Sequence, residues 1–300
     1  MRLCPICGMN CSENWKPMSR MPDFIGLGAQ KAGTSWIYAC LYEHPQICIP
    51  VKELHFFSRE RNWTRGYAWY EACFEQCPPE RKAGEFSTSY LADSRVPERI
   101  QQQYPAVKLL ASLRHPIDRA YSNYVNDIKA GQVKPQTPFQ DALKHHPEYL
   151  DQGRYAVQVK QYQQLFAPDQ LLWLIYEDCL KQPQDFMRRI YRFLEVDPEF
   201  VPSMLHQRVN VSAIPRAVWL ERGLTKLARC LHTSGLHRLW WLVKKTGAAN
   251  TLRRLNAASS PKTVPSKTPP SWRAPLLEAL EEDIDALEDI LGRTLPEWRA

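Results

Sequence analysis

The sequence predicts an α/β protein: a P-loop-like central parallel β-sheet flanked by helices on both faces. Three observations carry this expectation. Apolar stretches of strand length alternate with stretches of helical period. The first strand runs into a turn holding Gly28 and Gly33, and a helical pattern follows. Strands that alternate with helices along a chain build a parallel sheet covered on both sides.

Each element has its own reason. "PDFIGLG", residues 22–28, reads as a buried strand, and residues 34–43 as the helix after the turn. "KAGEFST", 82–88, reads as a second strand end, and "AVKLLASLRHP", 106–116, as a third strand entering a turn. "PIDRAYSNYVNDIKAG" is a helix over 116–131, with Pro116 in its first turn and Gly131 after its end. "ALKHHPEYL" and "YAVQVKQYQQLF" are helical in pattern. "QLLWLIYEDCL", 170–180, reads as a fourth strand and "PQDFMRRIYRFLEV", 183–196, as a further helix. No internal repeat is visible.

Composition sets outer limits. A chain of 300 residues, 44% hydrophobic, suits one large domain or two small ones. It contains no apolar run long enough to span a membrane. Residues 1–21 lack the apolar core of a secretory signal and read as a leader without fixed structure. The expectation is a soluble, cytoplasmic protein. The net charge of +7 favours anionic ligands without choosing among nucleotide, nucleic acid and membrane surface. Cys4 and Cys7 have a zinc half-site spacing and Cys11 follows, but no second pair comes before Cys40, so no metal is expected. The scattered cysteines, Cys40, Cys48, Cys179, Cys230 and one of Cys73 and Cys77, are expected to be reduced, mostly buried thiols.

Two later segments differ from the rest. Residues 215–256 hold nine Lys/Arg against one acid, Glu221, with Trp219, Trp240 and Trp241 among them. They read as a basic helical insert. Residues 257–271 read as a mobile loop. Beyond it, Leu276, Leu280, Ile284, Leu287 and Leu291 fall at helical spacing, so a last helix should pack on the core.

The turn after the first strand carries chemistry. A strand–loop–helix aims backbone N–H groups and the positive end of the helix at an anion. Gly28 and Gly33 are spaced as in an ATP/GTP loop, but Thr34 stands where that loop has its lysine, and the lysine is Lys31. Gly33 allows close approach of an anion, and Thr34 and Ser35 add hydroxyls. Taken alone, the same residues also make an ordinary strand-to-helix turn.

A second motif extends the picture. "KLLASLRHPIDRAYSNY" places Arg114 at a strand end and Ser122 eight residues on. With "KAGTSW" in the first loop and "KELHFFS" at 52–58, the chain resembles the sulfotransferases that use 3′-phosphoadenosine 5′-phosphosulfate (PAPS), in their heparan-sulfate-type and bacterial branch. "GEFSTSYL", "GRYAVQVKQYQQLF", "LLWLIYEDCLKQP" and the closing "LEDILGRTLPEW" look like that branch too. The resemblance covers residues 22–215 and 273–298, and treats 22–300 as one sulfotransferase domain with the basic insert inside it.

The resemblance implies residue roles. Lys31, Ala32, Gly33, Thr34 and Ser35 would bind the 5′-phosphosulfate of PAPS, with Lys31 also acting on the leaving oxygen. Arg114 and Ser122 would bind the 3′-phosphate, which suits the bidentate geometry of a guanidinium. A structural pairing of Arg114 with Asp118 is the other reading. Trp36 would stack on adenine or, equally, pack in the core. Arg216, in "RVNVSAIPRA", would replace a further 3′-phosphate contact. Glu53 would be the base that takes the acceptor's proton, with His55 the rival and on the same side if the segment is extended. Lys52 would tune Glu53 or touch the leaving group.

The expected activity is transfer of a sulfonate group from PAPS, without metal, to an alcohol or amine of an unidentified acceptor. An ATP-dependent small-molecule kinase is the chemical rival; it lacks the lysine of the usual loop. A basic nucleic-acid- or membrane-binding protein on an α/β scaffold is the other. No nucleic-acid partner is expected, and 215–256 is where a peripheral membrane contact would lie.

Overall fold

The computed structural model describes residues 20–207 and 270–299. Two compact units divide the chain. The first comprises residues up to His115, Arg154–Val209 and Glu282 onward; the second comprises Pro116–Gly153 and Asn210–Glu281. In chain order the elements are β1 (Phe24–Gly28), α1 (Thr34–Glu43), β2 (Ile47–Cys48), α2 (Glu60–Trp63), α3 (Tyr67–Ala72), β3 (Lys82–Phe86), α4 (Val96–Gln103), β4 (Lys108–Leu113), α5 (Pro116–Ala130), α6 (Phe139–His145) and α7 (Glu148–Asp151). Then follow α8 (Tyr155–Gln163), β5 (Leu171–Ile175), α9 (Tyr176–Lys181), α10 (Pro183–Leu194), α11 (Pro270–Glu278) and α12 (Glu281–Leu291).

The first unit is built on a parallel sheet of order β2-β3-β1-β4-β5. β1 lies at its centre, and the chain adds strands on either side of it. In open sheets of this kind ligands bind outside the carboxyl ends, where neighbouring connections diverge. The carboxyl end of β1 is Gly28, the start of the glycine turn.

Side-chain alternation along the strands separates two faces. On one, Phe24, Phe86, Leu110 and Leu174 pack with Ile37 and Leu41 of α1 and with Phe186 and Ile190 of α10. On the other, Trp173 of β5 meets Tyr162 of α8 and Tyr70 of α3 reaches Glu85 of β3. Gly26 makes room for this packing: a Cβ there would come within 2.2 Å of the Phe86 ring. The buried residues of α12, Ile284 and Leu287, fit the expected core-facing stripe.

The second unit has a small aromatic core of its own. Tyr121, Tyr124 and Ile128 of α5 pack with Phe139 of α6 and Tyr149 of α7, and Trp272 and Leu276 of α11 lie against them. Asp118 pairs with Arg273 at 3.0 Å, and the Tyr149 hydroxyl donates to Asp127 at 2.6 Å. No helix among the described residues is long and apolar enough to cross a membrane.

Several sequence expectations need correction. The apolar run 170–180 is a strand only to Ile175; from Tyr176 it is helix, because "YEDCL" has a helical solution that a period-2 reading cannot separate from buried strand. "ALKHHPEYL" is two short helices, α6 and α7, divided at His146 and Pro147. The last helical stretch is likewise two helices, and α11 begins at Pro270, inside the segment read as a mobile loop. The short edge strand β2 had no sequence signal. The thiol expectation holds for Cys40, Cys73 and Cys179, which are buried and keep their thiols. Burial pushes the Cys40 and Cys179 thiols up to about 12, so both stay protonated at neutral pH. Cys48 and Cys77 instead form a disulfide. Arg216, Cys230, the leader cysteines Cys4, Cys7 and Cys11, and the basic insert lie outside the described residues.

Candidate active site

The glycine turn closes tightly. The Ala29 N–H donates to the Ser112 carbonyl of β4 at 2.8 Å, and the Ala32 N–H to the Ala29 carbonyl at 3.2 Å. Lys31 and Gly33 both have left-handed backbones, with φ of 70° and 79°. Gly33 is required twice over, since a Cβ there would also meet the Tyr176 ring at 2.7 Å. Its carbonyl takes the N–H groups of Trp36 and Ile37. The amides of Thr34 and Ser35, upstream in the first turn of α1, are the orphan donors every helix start leaves. That is the anion-binding geometry of a helix N-terminus.

Arg114 stands behind this turn. One Nη donates to the Lys31 carbonyl at 3.0 Å, and the guanidinium lies 5.2 Å from the Tyr176 ring centroid. It therefore braces the left-handed residue of the loop, and that one bond uses one of its five N–H donors. Ser122 lies on α5, half-buried, in the second unit. Asp118, the alternative partner considered for Arg114, has Arg273. Trp36 is a core residue: it is 9% exposed, packs at 6.0 Å from Phe186, and donates its indole N–H to the Met204 and Leu205 carbonyls.

The "KELHFFS" segment comes to the same turn through one lysine. Lys52 donates to the Ser35 hydroxyl at 2.7 Å and lies 3.5 Å from Glu53 Oε1. A hydroxyl both accepts and donates, so Ser35 can take this bond and keep its own O–H for an anion. Glu53 Oε2 faces His55 Nε2 at 3.8 Å, longer than a hydrogen bond. His55 Nδ1 is 2.7 Å from the Ser89 hydroxyl, which is 2.7 Å from that of Ser58. Glu53, Lys52 and His55 thus form one chain of contacts that begins at the first turn of α1.

The segment is not extended, the condition under which the sequence put His55 on the same side as Glu53. Only Lys52 bridges to Phe86; Glu53 and His55 have φ of 62° and 49°. Left-handed non-glycine residues cost on the order of 1–3 kcal/mol each and persist only where the surroundings over-determine them. Here the Glu53 N–H donates to the Phe86 carbonyl at 2.9 Å and the His55 N–H to the Ser87 hydroxyl at 2.8 Å. The Phe56 N–H donates to the Tyr90 hydroxyl at 2.8 Å, and Asn62 caps the Leu54 carbonyl at 2.8 Å. Ser87, Ser89 and Tyr90 were missed as site residues. The signal was a hydroxyl-rich run, "STSY", directly after a strand.

Electrostatics divides the pair. The His55 imidazole beside it and then the Lys52 ammonium hold the Glu53 carboxyl below the ordinary value, against partial burial that would raise it. The side chain of Glu53 is 41% exposed, whereas that of His55 is 10% exposed. Glu53 is therefore ionised at neutral pH and open to an incoming molecule, with a buried imidazole behind it.

Comparison with known proteins shows the family. The sulfotransferase domain family model matches residues 21–211. The heparan sulfate glucosamine 3-O-sulfotransferase 5 of Mus musculus is 31% identical over 120 residues, 40% of this chain and 35% of that protein. The human bifunctional heparan sulfate N-deacetylase/N-sulfotransferase 3 is 28% identical over 211 residues, 62% of this chain and 23% of that protein. The chain thus spans about a third or less of the length of these relatives. A solved sulfotransferase from Alicyclobacillus acidocaldarius superposes with a TM-score of 0.68 at 25% identity, covering 94% of this chain and all of that one. The match to the family model takes in the glycine turn, the Lys52–His55 segment and every strand of the sheet, so the chain belongs to the sulfotransferase family.

Proposed function

We propose that the chain transfers a sulfonate group from PAPS to a hydroxyl or amine. The observation that carries the reading is Lys52, which bonds Ser35 on the anion-binding turn and contacts Glu53 on the other side. One side chain therefore couples the donor loop to the candidate base. PAPS supplies the activated sulfonate. The amides of Thr34 and Ser35, with Lys31, would hold its 5′ side and oppose the charge that grows on the departing oxygen. Arg114 and Ser122 are the proposed contacts for the 3′-phosphate.

Glu53 is the proposed base. It is ionised, exposed and oriented, and a carboxylate within reach of an acceptor O–H or N–H can take its proton. His55, mostly buried and fixed by Ser89, is the proposed orienting partner rather than the base. Lys31 and Lys52 meet the charge of a sulfonate transfer without a metal, and this reading includes none. The relatives named above act on heparan sulfate, one on a glucosamine oxygen and one as an N-sulfotransferase. A saccharide hydroxyl or amine is therefore the first acceptor class to try.

Labelled PAPS incubated with the protein and with heparan sulfate, its N-deacetylated form and simple alcohols tests the activity. Calorimetry with 3′,5′-adenosine bisphosphate (PAP) and with ATP, each with and without chelator, tests the donor side. Tight PAP binding that ignores the chelator is expected. Equal affinity for ATP, or binding only with Mg²⁺, would return the chain to the kinase alternative.

A further inference from the structure

Directly beneath the Lys52–His55 segment lies a carboxylate with no part in the chemistry above. Glu85 of β3 is fully buried. A buried carboxylate needs hydrogen-bond donors, and three hydroxyls supply them. Ser87 donates to Oε2 at 2.6 Å; Tyr90 donates to Oε1 at 2.6 Å and Tyr70 to the same oxygen at 3.2 Å. Burial raises its pKa, and the hydroxyls oppose that rise.

The direction of these bonds matters. A hydroxyl has a single proton and two lone pairs. Because Ser87 and Tyr90 donate to Glu85, each turns a lone pair to its other neighbour. For Ser87 that neighbour is the His55 N–H, at 2.8 Å; for Tyr90 it is the Phe56 N–H, also at 2.8 Å. One carboxylate thus orients two hydroxyls as acceptors for two consecutive amides. The first of those amides belongs to left-handed His55, whose imidazole faces Glu53.

We propose that Glu85 is a positioning residue for this site: through Ser87 and Tyr90 it fixes the backbone at His55 and Phe56, and so the approach of His55 to Glu53. The structural half stands on the geometry alone. The effect on turnover rests on the sulfonate-transfer reading. Replacing Glu85 by Gln would leave one carbonyl oxygen and present an amide N–H₂ on the other side. One hydroxyl would then lose its acceptor at residue 85 and have to turn its proton elsewhere, so its lone pair would no longer be held toward the backbone N–H.

Three variants test the proposal: Glu85→Gln, and the milder Ser87→Ala and Tyr90→Phe, which leave an informative result if Glu85→Gln fails to fold. Amide hydrogen exchange is measured at His55 and Phe56, with the ladder amides of Leu110 and Leu174 as controls. Ser87→Ala should speed exchange at His55, and Tyr90→Phe at Phe56, by tenfold or more, with the controls changed less than twofold. Glu85→Gln, which keeps one acceptor oxygen, should speed exchange at one of the two amides at least. PAP affinity by calorimetry should stay within threefold, while kcat for sulfonate transfer from PAPS falls tenfold or more and the KM for PAPS holds. Unchanged exchange at His55 and Phe56 in Ser87→Ala and Tyr90→Phe overturns the proposal whatever the activity. Faster exchange with full kcat overturns the positioning role. Parent protein that neither binds PAP nor transfers sulfonate overturns the sulfonate reading and this role with it; that failure is recognised because it is seen without any substitution.

Discussion

The donor turn and the Lys52–His55 segment solve the same backbone problem by different means. Both need left-handed residues. In the turn, Gly33 takes φ of 79° at little cost, and the residue contributes amides and space rather than a side chain. In the segment, the left-handed positions are Glu53 and His55, whose side chains are themselves the candidate chemistry. Glycine is no substitute there. The conformation is instead clamped from outside, by the Phe86 carbonyl and the hydroxyls of Ser87 and Tyr90. Lys31, the left-handed residue of the turn that does carry a side chain, follows the rule of the segment: its carbonyl is held from outside by Arg114.

The largest expected effect breaks the reactive half alone. Glu53→Gln keeps size and hydrogen-bonding shape but cannot accept a proton at neutral pH. Turnover should fall about 10²–10⁴-fold while calorimetry shows unchanged PAP affinity. If His55→Gln is the more damaging of the two, the roles assigned to the pair are exchanged.

The frame around the segment comes next. The Cys48–Cys77 disulfide closes a loop of 29 residues, and Lys52, Glu53 and His55 lie inside it. Chain-entropy arguments put its loss at about 3–4 kcal/mol. Cys48→Ala should lower global stability by that amount in urea titration. A normal PAP affinity in the folded variant would show that the donor turn keeps its shape without the clamp.

The donor half is probed by Arg114→Ala. Loss of a charge-assisted bond of this kind costs about 1.5–3 kcal/mol, read as weaker PAP binding with little change in the unfolding midpoint. A variant that binds PAP normally but unfolds earlier would leave Arg114 as the brace of Lys31 and no more.

The smallest effect is in pH. The folded pKa of Glu53 is depressed by His55 and Lys52. Its ionisation therefore favours the fold above the unfolded pKa, about 4.3 for a free glutamate, and that contribution is lost as pH falls through the lower, folded value. For the same reason the acidic limb of the kcat profile should bend below the ordinary glutamate value. In His55→Gln, which removes the first of the two causes, the bend should move upward. A limb that does not move would show that the imidazole is not what holds Glu53 acidic.

Much of this was legible in the sequence, for identifiable reasons. The turn was legible because glycine spacing and a strand-to-helix change are local signals, and α1 was expected over residues 34–43, where it lies. α5 was bounded by Pro116 and Gly131 for the same reason. The Lys52–His55 segment was found by its residue types, but its conformation was not, because nothing local makes glutamate left-handed. The clamp comes from β3 and the residues after it, more than 30 positions away in the case of Ser87. Trp36 was undecided since an indole after a phosphate-type turn suits either a base or a core; contacts with Phe186 and with carbonyls some 170 residues on place it in the core. The disulfide was invisible because nine cysteines show no pairing pattern.

That disulfide has a consequence for how the protein would respond to a protease. Its loop carries the exposed residues Arg59, Glu60 and Arg61 near α2, where a trypsin-like enzyme would find basic targets. A single cut there leaves two polypeptides, yet Cys48 and Cys77 still tie them, and the piece bearing Glu53 and His55 stays joined to β2 and to the strand that follows the loop. The protein carries its own splint across the stretch where a nick would otherwise separate the piece bearing β1, β2 and the candidate base from the piece bearing β3, β4 and β5. Under reducing conditions the same nick would leave only non-covalent packing to hold the two pieces together.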